Sequence, residues 1–417
     1  MTLLALLFVS SQSAFAAKEE GKVDVKETIF HHLGDNYGWE VPFSHILRLP
    51  LPVIVRAEDG SWFCFSSKNL TQIEELQDEK TGKTYKELIP KIYRVEKNGK
   101  EYFFTIPHIS TQANKVVQVF PLDSAGQQKA REIFVAEAKA NNTEIEGVPV
   151  KGYVNVEGVY YREYRPFDLS ITKNVLALFI TCGLVIWMVL GLARFYKRKG
   201  MKAPRKGMGF FEVLVDFIYT GVIKSTLGDR AKKYAPYLLT CFFFILTANL
   251  LGLIVIFPGG ANLTGNIAVT LVLALCTFVM TNVPGTKHYW KEIFWPDVPV
   301  WLKCPLPIMQ VIEIFGIFTK PAALCVRLFA NMMGGHMIVI TLVCLIFIFA
   351  AFGAVAAGGS VVVSLLFTIF MLALDVLVSF IQAYVFTMLS TMFISMGSDK
   401  GHHDTLNGEE EPQTVEA

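Results

Sequence analysis

A permanently charged side chain lies within one of the most apolar parts of this sequence. Arg327 is about twenty residues from either end of a mostly apolar segment, about Leu306 to Phe352, so its side chain does not easily reach the lipid headgroups. A charge at the centre of a bilayer costs roughly 2.5 to 3.5 kcal/mol on insertion scales. A cost of that size indicates a function. A guanidinium keeps its charge and attracts anions, but it does not pass on a proton.

Further polar side chains share a helical face with this arginine. Glu313, Lys320 and Arg327 follow one another at intervals of seven residues, which is about 700° of helical rotation, and Asn331 lies one turn further on. His336 lies about half a turn round from Arg327 and about 13.5 Å further along the axis. The pattern predicts a polar stripe in which the histidine has a role different from that of the arginine.

A second long apolar segment, about Ser360 to Ser395, contains two further polar residues. Asp375 and Gln382 are again seven residues apart. In an antiparallel hairpin, Arg327 would lie opposite Gln382 and His336 opposite Asp375, because each pair is equally distant, to within one residue, from a turn near residue 355. The intervening loop is predicted around three glycines: Gly353, Gly358 and Gly359.

The histidine and the carboxylate suit a proton relay, because imidazole titrates near neutral pH. The same pair would also serve as a buried hydrogen bond that only fixes the hairpin. Two supporting polar residues are Lys320 and Asn249, the second of which lies in an earlier apolar segment.

These residues resemble subunit a of the F-type ATP synthases, and the resemblance covers residues 171–398. It rests on the Arg-Leu-Phe-Ala-Asn core at 327–331, the preceding Lys-Pro, Glu313 upstream and Gln382 in the last helix. In the commonest bacterial pattern an acidic residue takes the place of His336 and a histidine that of Asp375. The exchange resembles the mitochondrial arrangement and keeps an imidazole and a carboxylate together.

The resemblance implies a stator subunit without a catalytic site or cofactor of its own. Its implied partners are a ring of rotor c subunits, peripheral-stalk b subunits, the remaining ATP synthase subunits and the lipid bilayer. Arg327 would face the rotor carboxylates, and the last two helices would lie obliquely against the rotor ring.

Other functional classes fit less well. A secondary ion transporter with an intramembrane Arg/His/Asp relay is the main alternative, but such folds usually show internal repeats, and none is visible here. A haem-binding subunit needs paired histidines, and His336 is the only histidine within a predicted span. No phosphate-binding Gly-x-x-x-x-Gly-Lys-Ser/Thr loop occurs, so ATP chemistry is assigned to partner subunits.

Composition indicates an integral membrane protein with a soluble part. The 417 residues are 53% hydrophobic and only 18% charged, and the apolar residues are segregated into long runs. The net charge of +2 does not indicate nucleic acid, because the cations cluster beside membrane runs.

The N-terminal part is predicted to be exported. Residues 1–17 end in Ala14-Phe15-Ala16-Ala17, typical of a signal peptide, although a basic n-region is missing. Residues 18–170 are predicted to form a periplasmic α+β domain with an Asn98-Gly99 hairpin, strands near 50–57, 61–67 and 116–120, and a helix near 124–140. No disulfide is expected within it, because it contains only Cys64, and its histidines match no metal-ligand spacing.

Five spanning helices are predicted in residues 171–398. The first three are about Asn174 to Phe195, Tyr237 to Phe257 and Ile267 to Val283, and the hairpin supplies two more. Basic residues between 197 and 206 place that loop in the cytoplasm by the positive-inside rule, so the N-terminus is outside and the tail, residues 399–417, is inside. The predicted location is a bacterial inner membrane.

Two segments depart from simple spans. Residues 209–226 place Glu212, Asp216, Thr220 and Lys224 at every fourth position, which favours an amphipathic helix along the cytoplasmic interface over a re-entrant segment. The stretch 306–352 would be roughly 70 Å long as a helix against a hydrocarbon core of about 30 Å, so it must tilt steeply or break.

This topology predicts two offset proton half-channels. His336 and Asp375 lie on the outer side of Arg327, and Glu313 lies on the cytoplasmic side. Protons would enter past the first two residues and Asn331, and would leave near Glu313.

Overall fold

The computed structural model describes residues 35–41, 44–77, 84–107, 115–141, 148–156, 158–200, 207–254, 261–294, 308–350 and 354–398. The predicted signal peptide and the C-terminal tail lie outside these residues. The described part falls into two compact units, with a boundary between Phe179 and Ile180 inside one helix.

The first unit is rich in antiparallel strands. The strands are β1 Gly38–Val41, β2 Ser44–Pro50, β3 Pro52–Arg56, β4 Trp62–Ser66, β5 Thr71–Gln77, β6 Thr84–Pro90, β7 Tyr93–Lys97, β8 Lys100–Thr105, β9 Val117–Pro121, β10 Tyr153–Val156, β11 Val159–Tyr164 and β12 Phe167–Asp168. A five-stranded sheet has the order β10-β11-β9-β8-β7, and a three-stranded sheet has the order β12-β3-β4.

The predicted hairpin, the three predicted strands and the predicted helix of this unit are confirmed. Asn98 and Gly99 join β7 to β8 with φ values of 54° and 74°, the left-handed pair that a two-residue hairpin loop requires. Alternating residues of β3 enter the core, where Val53 and Val55 are fully buried. Helix α1, Ser124–Asn141, buries Phe134 in a second cluster.

The second unit is helical, and α2 enters it from the first unit. The helices are α2 Lys173–Lys199, α3 Gly207–Ile218, α4 Ala231–Leu253, α5 Ile267–Asn282, α6 Lys287–Phe294, α7 Ile308–Ala350 and α8 Ala354–Ser398. Their common core contains large, fully buried side chains from four segments: Ile218, Leu238, Phe242, Ile245, Leu328, Phe386 and Ile394.

Among the described residues, four helical segments are long and apolar enough to cross a membrane: Lys173–Arg198, Gly207–Leu253, Ile314–Val339 and Val362–Ser398. Helix α5 is apolar but has only 16 residues, about 24 Å of helix against a hydrocarbon core of about 30 Å. The count of five crossings therefore stays a prediction.

The segment predicted to be amphipathic is helical. Helix α3 continues through a π-helical turn, Tyr219–Lys224, in which Val222 and Ile223 are buried while Lys224 is exposed. Gly228, with φ of 54°, then turns the chain before α4 begins, in a conformation that glycine adopts without steric cost. The orientation of this segment to a membrane stays a prediction.

The loop that the sequence predicted between the last two helices extends too far along the chain. Gly358 and Gly359 lie inside α8, which begins at Ala354. Glycine is more frequent in membrane helices than in soluble ones, so these residues did not mark a helix end. Helix α7 runs for 43 residues without a break, although Pro321 lies inside it. The sequence predicted that the stretch 306–352 either breaks or tilts steeply in the membrane. The continuous helix excludes a break, and the steep tilt stays a prediction.

Candidate functional site

The candidate site is organised by the two faces of α7 around Arg327. The arginine is exposed, and so are Ala323, Val326 and Ala330 beside it, whereas Leu328 is fully buried. The guanidinium therefore lies on the side of α7 that the described helices of this unit leave open. Small alanine side chains on that side allow another helix to approach closely.

The opposite face of α7 is held by α5 and fixes the rotation of the arginine. Leu324 and Cys325 are buried, and the Cys325 Sγ atom lies 3.5 Å from the Thr270 hydroxyl oxygen. Phe318 stacks on Phe278 with ring centroids 5.8 Å apart. These contacts keep the exposed face of α7 pointing away from the core.

Asp375 of α8 packs directly against α7 one residue before His336. A Cβ atom added at Gly335 would lie 2.7 Å from the Asp375 Oδ1 atom, well inside any normal contact. The carboxylate thus lies at the depth of His336, as the hairpin arithmetic predicts. Both side chains are half-buried. A direct hydrogen bond between them stays a prediction.

Gln382 and Arg327 differ in their surroundings. The Gln382 side chain is buried, whereas Arg327 is exposed. Their predicted pairing across the hairpin stays a prediction. Asn331 is half-buried on α7. Glu313 lies on the same helix, and its side chain is outside the part that the structure describes.

A polar face runs along α8 that the sequence analysis missed. Ser364, Thr368 and Ser379 are buried. With Asp375 and Gln382 they occupy an arc of about 60° at the rotation per residue of an α-helix. Thr368 donates to the Ser364 carbonyl at 2.7 Å, and Ser379 donates to the Asp375 carbonyl at 2.7 Å. The signal was present as spacings of four, seven, four and three residues, which place these side chains on one side of a helix.

Asn249 of α4 is fully buried, and its side-chain oxygen accepts a hydrogen bond of 2.6 Å from Thr264. Thr264 is itself fully buried. Two polar side chains buried among apolar helices stabilise the fold only when they are hydrogen-bonded to each other. The supporting residue predicted from the sequence therefore has a partner that the sequence analysis did not identify.

A second polar region lies two turns before Arg327. The Lys320 amine lies 5.9 Å from the centroid of Phe393 and lines a cleft between α5, α6, α7 and α8. Thr281, Asn282 and Tyr289 also line it, and the Tyr289 hydroxyl donates to the Asn282 side-chain oxygen at 3.1 Å. The cleft is on the Glu313 side of Arg327.

Thr277 connects this cleft to α4 and makes a further contact with α8. Its hydroxyl lies 2.9 Å from the Tyr237 hydroxyl of α4 and 3.4 Å from the Ser390 hydroxyl of α8. With Thr270, Ala274 and Thr281 it forms a buried face of α5 that contains mostly threonine. Sequence analysis missed this face, because threonine residues within an apolar helix change its hydropathy profile very little.

Polar side chains therefore lie on both sides of Arg327 along α7. Among the described residues, no group of three or more histidine, cysteine, aspartate or glutamate side chains is placed to hold a metal ion. His336 and Asp375 bring an imidazole and a carboxylate to the α7–α8 contact.

Comparison with known proteins gives two matches to domain families. The ATP synthase A chain family matches residues 175–395. A domain of unknown function (DUF8433) matches residues 28–117.

Curated relatives carry the name ATP synthase subunit a. The chain is 41% identical to that of Chlorobium phaeobacteroides over 244 residues, which cover 57% of this chain and 68% of the relative. It is 42% identical over 258 residues to ATP synthase subunit a 2 of Chlorobaculum tepidum, with 60% and 68% covered. The Myxococcus xanthus protein is 42% identical over 258 residues, with 59% and 78% covered. The chain belongs to the family of F-type ATP synthase subunit a.

Proposed function

We propose that this membrane-sector subunit of ATP synthase acts as a stator that provides two offset proton half-channels separated by Arg327. The observation that carries the proposal is the exposure of Arg327 in the middle of an apolar helix, on a face bordered by Ala323 and Ala330. An exposed charge at that depth needs a partner of opposite charge. A rotor carboxylate that passes along this face supplies one.

The arginine separates the two routes by its chemistry. A guanidinium does not lose its proton under these conditions, so it attracts an ionised rotor carboxylate without conducting a proton itself. Lysine is a poor substitute, because desolvation favours its neutral form.

The outer route is assigned to the α7–α8 contact. His336 and Asp375 would exchange protons with the outside and pass them by way of Asn331 to a rotor carboxylate. The buried hydroxyls of Ser364 and Thr368 extend the polar face of α8 beyond Asp375. The exchange between imidazole and carboxylate favours protons as the coupling ion.

The inner route is assigned to the cleft beside Lys320. Protons released after rotation would leave near Glu313, along the hydroxyl and amide groups of Thr281 and Asn282. By the positive-inside rule this end of α7 faces the cytoplasm, and the N-terminal domain is periplasmic in a bacterial inner membrane. The rotor c ring and the peripheral-stalk b subunits are the proposed neighbours.

The test compares ATP-driven proton pumping with passive proton conduction in vesicles that contain the assembled membrane sector. Arg327→Ala should abolish pumping while passive conduction stays or increases, because the barrier between the half-channels is lost. Arg198→Ala is the matched control, since it removes the same charge at the exposed end of α2.

The control variant should pump like the unaltered complex. Unchanged pumping by an assembled Arg327→Ala complex would contradict the proposal. It would show that the two routes stay separate without the arginine.

A further inference from the structure

The first unit is joined to the first spanning helix without a free linker. Strand β12 pairs with β3, and the next residues continue the pairing: Leu169 N–H donates to the Ile54 carbonyl at 2.9 Å, and Ile171 N–H to the Pro52 carbonyl at 3.1 Å. Lys173 N–H, at the first residue of α2, donates to the Asn36 carbonyl at 2.9 Å.

The N-terminus of α2 is also capped by the first unit. Asn174 N–H donates to the Asp35 side chain at 3.1 Å, which satisfies one of the amides that a helix leaves unpaired. Backbone bonds at every second residue from Phe167 to Lys173 therefore hold the three-stranded sheet close to the point where the chain enters the bilayer. Leu169 precedes Lys173 by only four residues, which span about 14 Å when fully extended.

The face of this sheet that points away from the core is mostly apolar. Because side chains of paired residues project to the same face, Phe167, Arg56 and Trp62 form one row across β12, β3 and β4. Leu169 continues the register opposite Ile54, which pairs with Cys64. The opposite face of the sheet carries Val53, Val55 and Phe63, which are buried in the core of the unit.

The large side chains of this outer face are exposed. Phe167 is 62% exposed, Leu169 55% and Trp62 44%, and the rings of Phe167 and Trp62 meet edge to face with centroids 6.3 Å apart. We define the sheet-face patch as Trp62, Phe167, Leu169, Ile54 and Cys64. A contiguous apolar surface of this kind marks an interaction site.

One cation lies within the sheet-face patch. Arg56 lies between Phe167 and Trp62 in the row and is exposed. Aromatic rings beside a basic side chain are typical of membrane-interface anchors, where the rings lie at the headgroup level and the cation meets lipid phosphates.

We propose that the sheet-face patch lies in the headgroup region of the leaflet from which α2 enters the bilayer, and that it anchors the first unit to that surface. The occupant is lipid, because the bonded strand places the patch beside the entry point of α2. The proposal requires that α2 crosses a membrane, and it is independent of the proton pathway proposed above.

The test uses Cys64 as a natural labelling site at the patch, in a chain whose six other cysteines are replaced by alanine. The complex is assembled with its other subunits and reconstituted into vesicles of phosphatidylcholine and phosphatidylglycerol. A fluorescent label on the Cys64 thiol is then quenched by phospholipids that carry a nitroxide near the headgroup. The matched control is a label at Val159→Cys, an exposed position on β11, in a chain that also carries Cys64→Ala.

The label at Cys64 should be quenched several-fold more strongly by the lipid nitroxide than the label at position 159, and less strongly by a water-soluble quencher. Equal quenching at the two sites would overturn the proposal. Shielding of the Cys64 label from both quenchers would also overturn it, because it would indicate that another protein chain covers the patch.

A second variant separates anchoring from damage to the fold. Phe167→Ser with Leu169→Ser should lower lipid quenching of the Cys64 label while ATP-driven pumping persists, because neither residue is part of the proton pathway. Unchanged quenching in this variant would contradict the role of the two side chains. Failure of Arg327→Ala to abolish pumping would leave the anchoring result unaffected, so the two proposals fail separately.

Discussion

The Asp375 carboxylate lies so close to Gly335 that any side chain at this position would have to displace it. A Cβ atom at Gly335 would be 2.7 Å from Oδ1 and 3.1 Å from Cγ of Asp375. The glycine is the residue before His336 on the same helix. It therefore permits the closest approach of the carboxylate to the α7 backbone at the depth of the proposed relay.

Gly335→Ala should reduce ATP-driven proton pumping because it displaces the Asp375 carboxylate. A misplacement of about 1 Å in a reacting group costs up to about a hundredfold in rate, and we expect a loss of about tenfold or more. The measurement is the initial rate of pumping in inverted vesicles, normalised to the amount of assembled complex.

Gly334→Ala is the matched control for this variant. A Cβ atom there meets nothing within 4 Å. The change raises helix propensity by the same amount, about 1 kcal/mol. The control should pump like the unaltered complex. Equal rates for the two variants would show that the approach of Asp375 to Gly335 has no role in conduction.

Thr277→Val should destabilise the helical unit, because it leaves the Tyr237 hydroxyl without its 2.9 Å partner between α4 and α5. The loss of one hydrogen bond between side chains costs about 1 kcal/mol. We expect a lower midpoint of thermal inactivation for the purified complex.

Thr341→Val is the control for this loss. The Thr341 side chain is exposed on α7 and donates to the Met337 carbonyl of its own helix. It should leave the midpoint unchanged. A Thr277→Val complex as stable as this control would argue against a structural role for the contacts of the Thr277 hydroxyl with Tyr237 and Ser390.

Gly397→Ala should impair assembly of the helical unit. An added Cβ atom would lie 2.6 Å from the Thr281 carbonyl oxygen, which is backbone and does not move aside easily. The Gly397 carbonyl also accepts the Thr286 N–H at 3.0 Å. Overpacking of this kind costs typically about 1 to 3 kcal/mol. The amount of subunit in the membrane should fall, whereas Gly316→Ala, which meets nothing within 4 Å, should not change it.

The elements that the sequence predicted best were those with strong local signals. The Asn98-Gly99 pair requires positive φ, so the hairpin was predictable from two residues. Arg327 was predicted as a site residue because a guanidinium in an apolar segment has few explanations. The apolar sequence around Arg327 did not reveal which face of α7 is exposed, because that depends on where α5 packs.

Contacts between helices were the part that sequence analysis missed. Thr277 and Ser390 each lie in an apolar run, and nothing local indicates that their hydroxyls lie 3.4 Å apart. Thr277 also donates to the Leu273 carbonyl of its own preceding turn at 3.3 Å. Threonine often bonds in this way within a helix, so its presence does not demand a partner. The hairpin register, by contrast, followed from arithmetic, because antiparallel helices pair residues at equal distances from the turn.

High pH should destabilise the first unit through Tyr37. Burial, followed by the hydrogen bond to Asp168, raises the pKa of Tyr37, and the Tyr37 hydroxyl oxygen also accepts the Val116 N–H at 3.2 Å. A group whose pKa is raised in the folded state contributes stability that is fully present below its unfolded pKa, about 10, and is lost as the pH rises above that value.

Tyr37→Phe should lower the free energy of unfolding by about 1 to 3 kcal/mol at neutral pH, because a buried N–H and a carboxylate lose their partner. The variant should also lose less stability at high pH than the unaltered protein. Hydrogen exchange of the first unit in the full-length protein at pH 8 and pH 11 measures both effects after correction for the intrinsic rate. Tyr93→Phe is the control, and an alkaline loss in Tyr37→Phe as large as in this control would contradict the assignment.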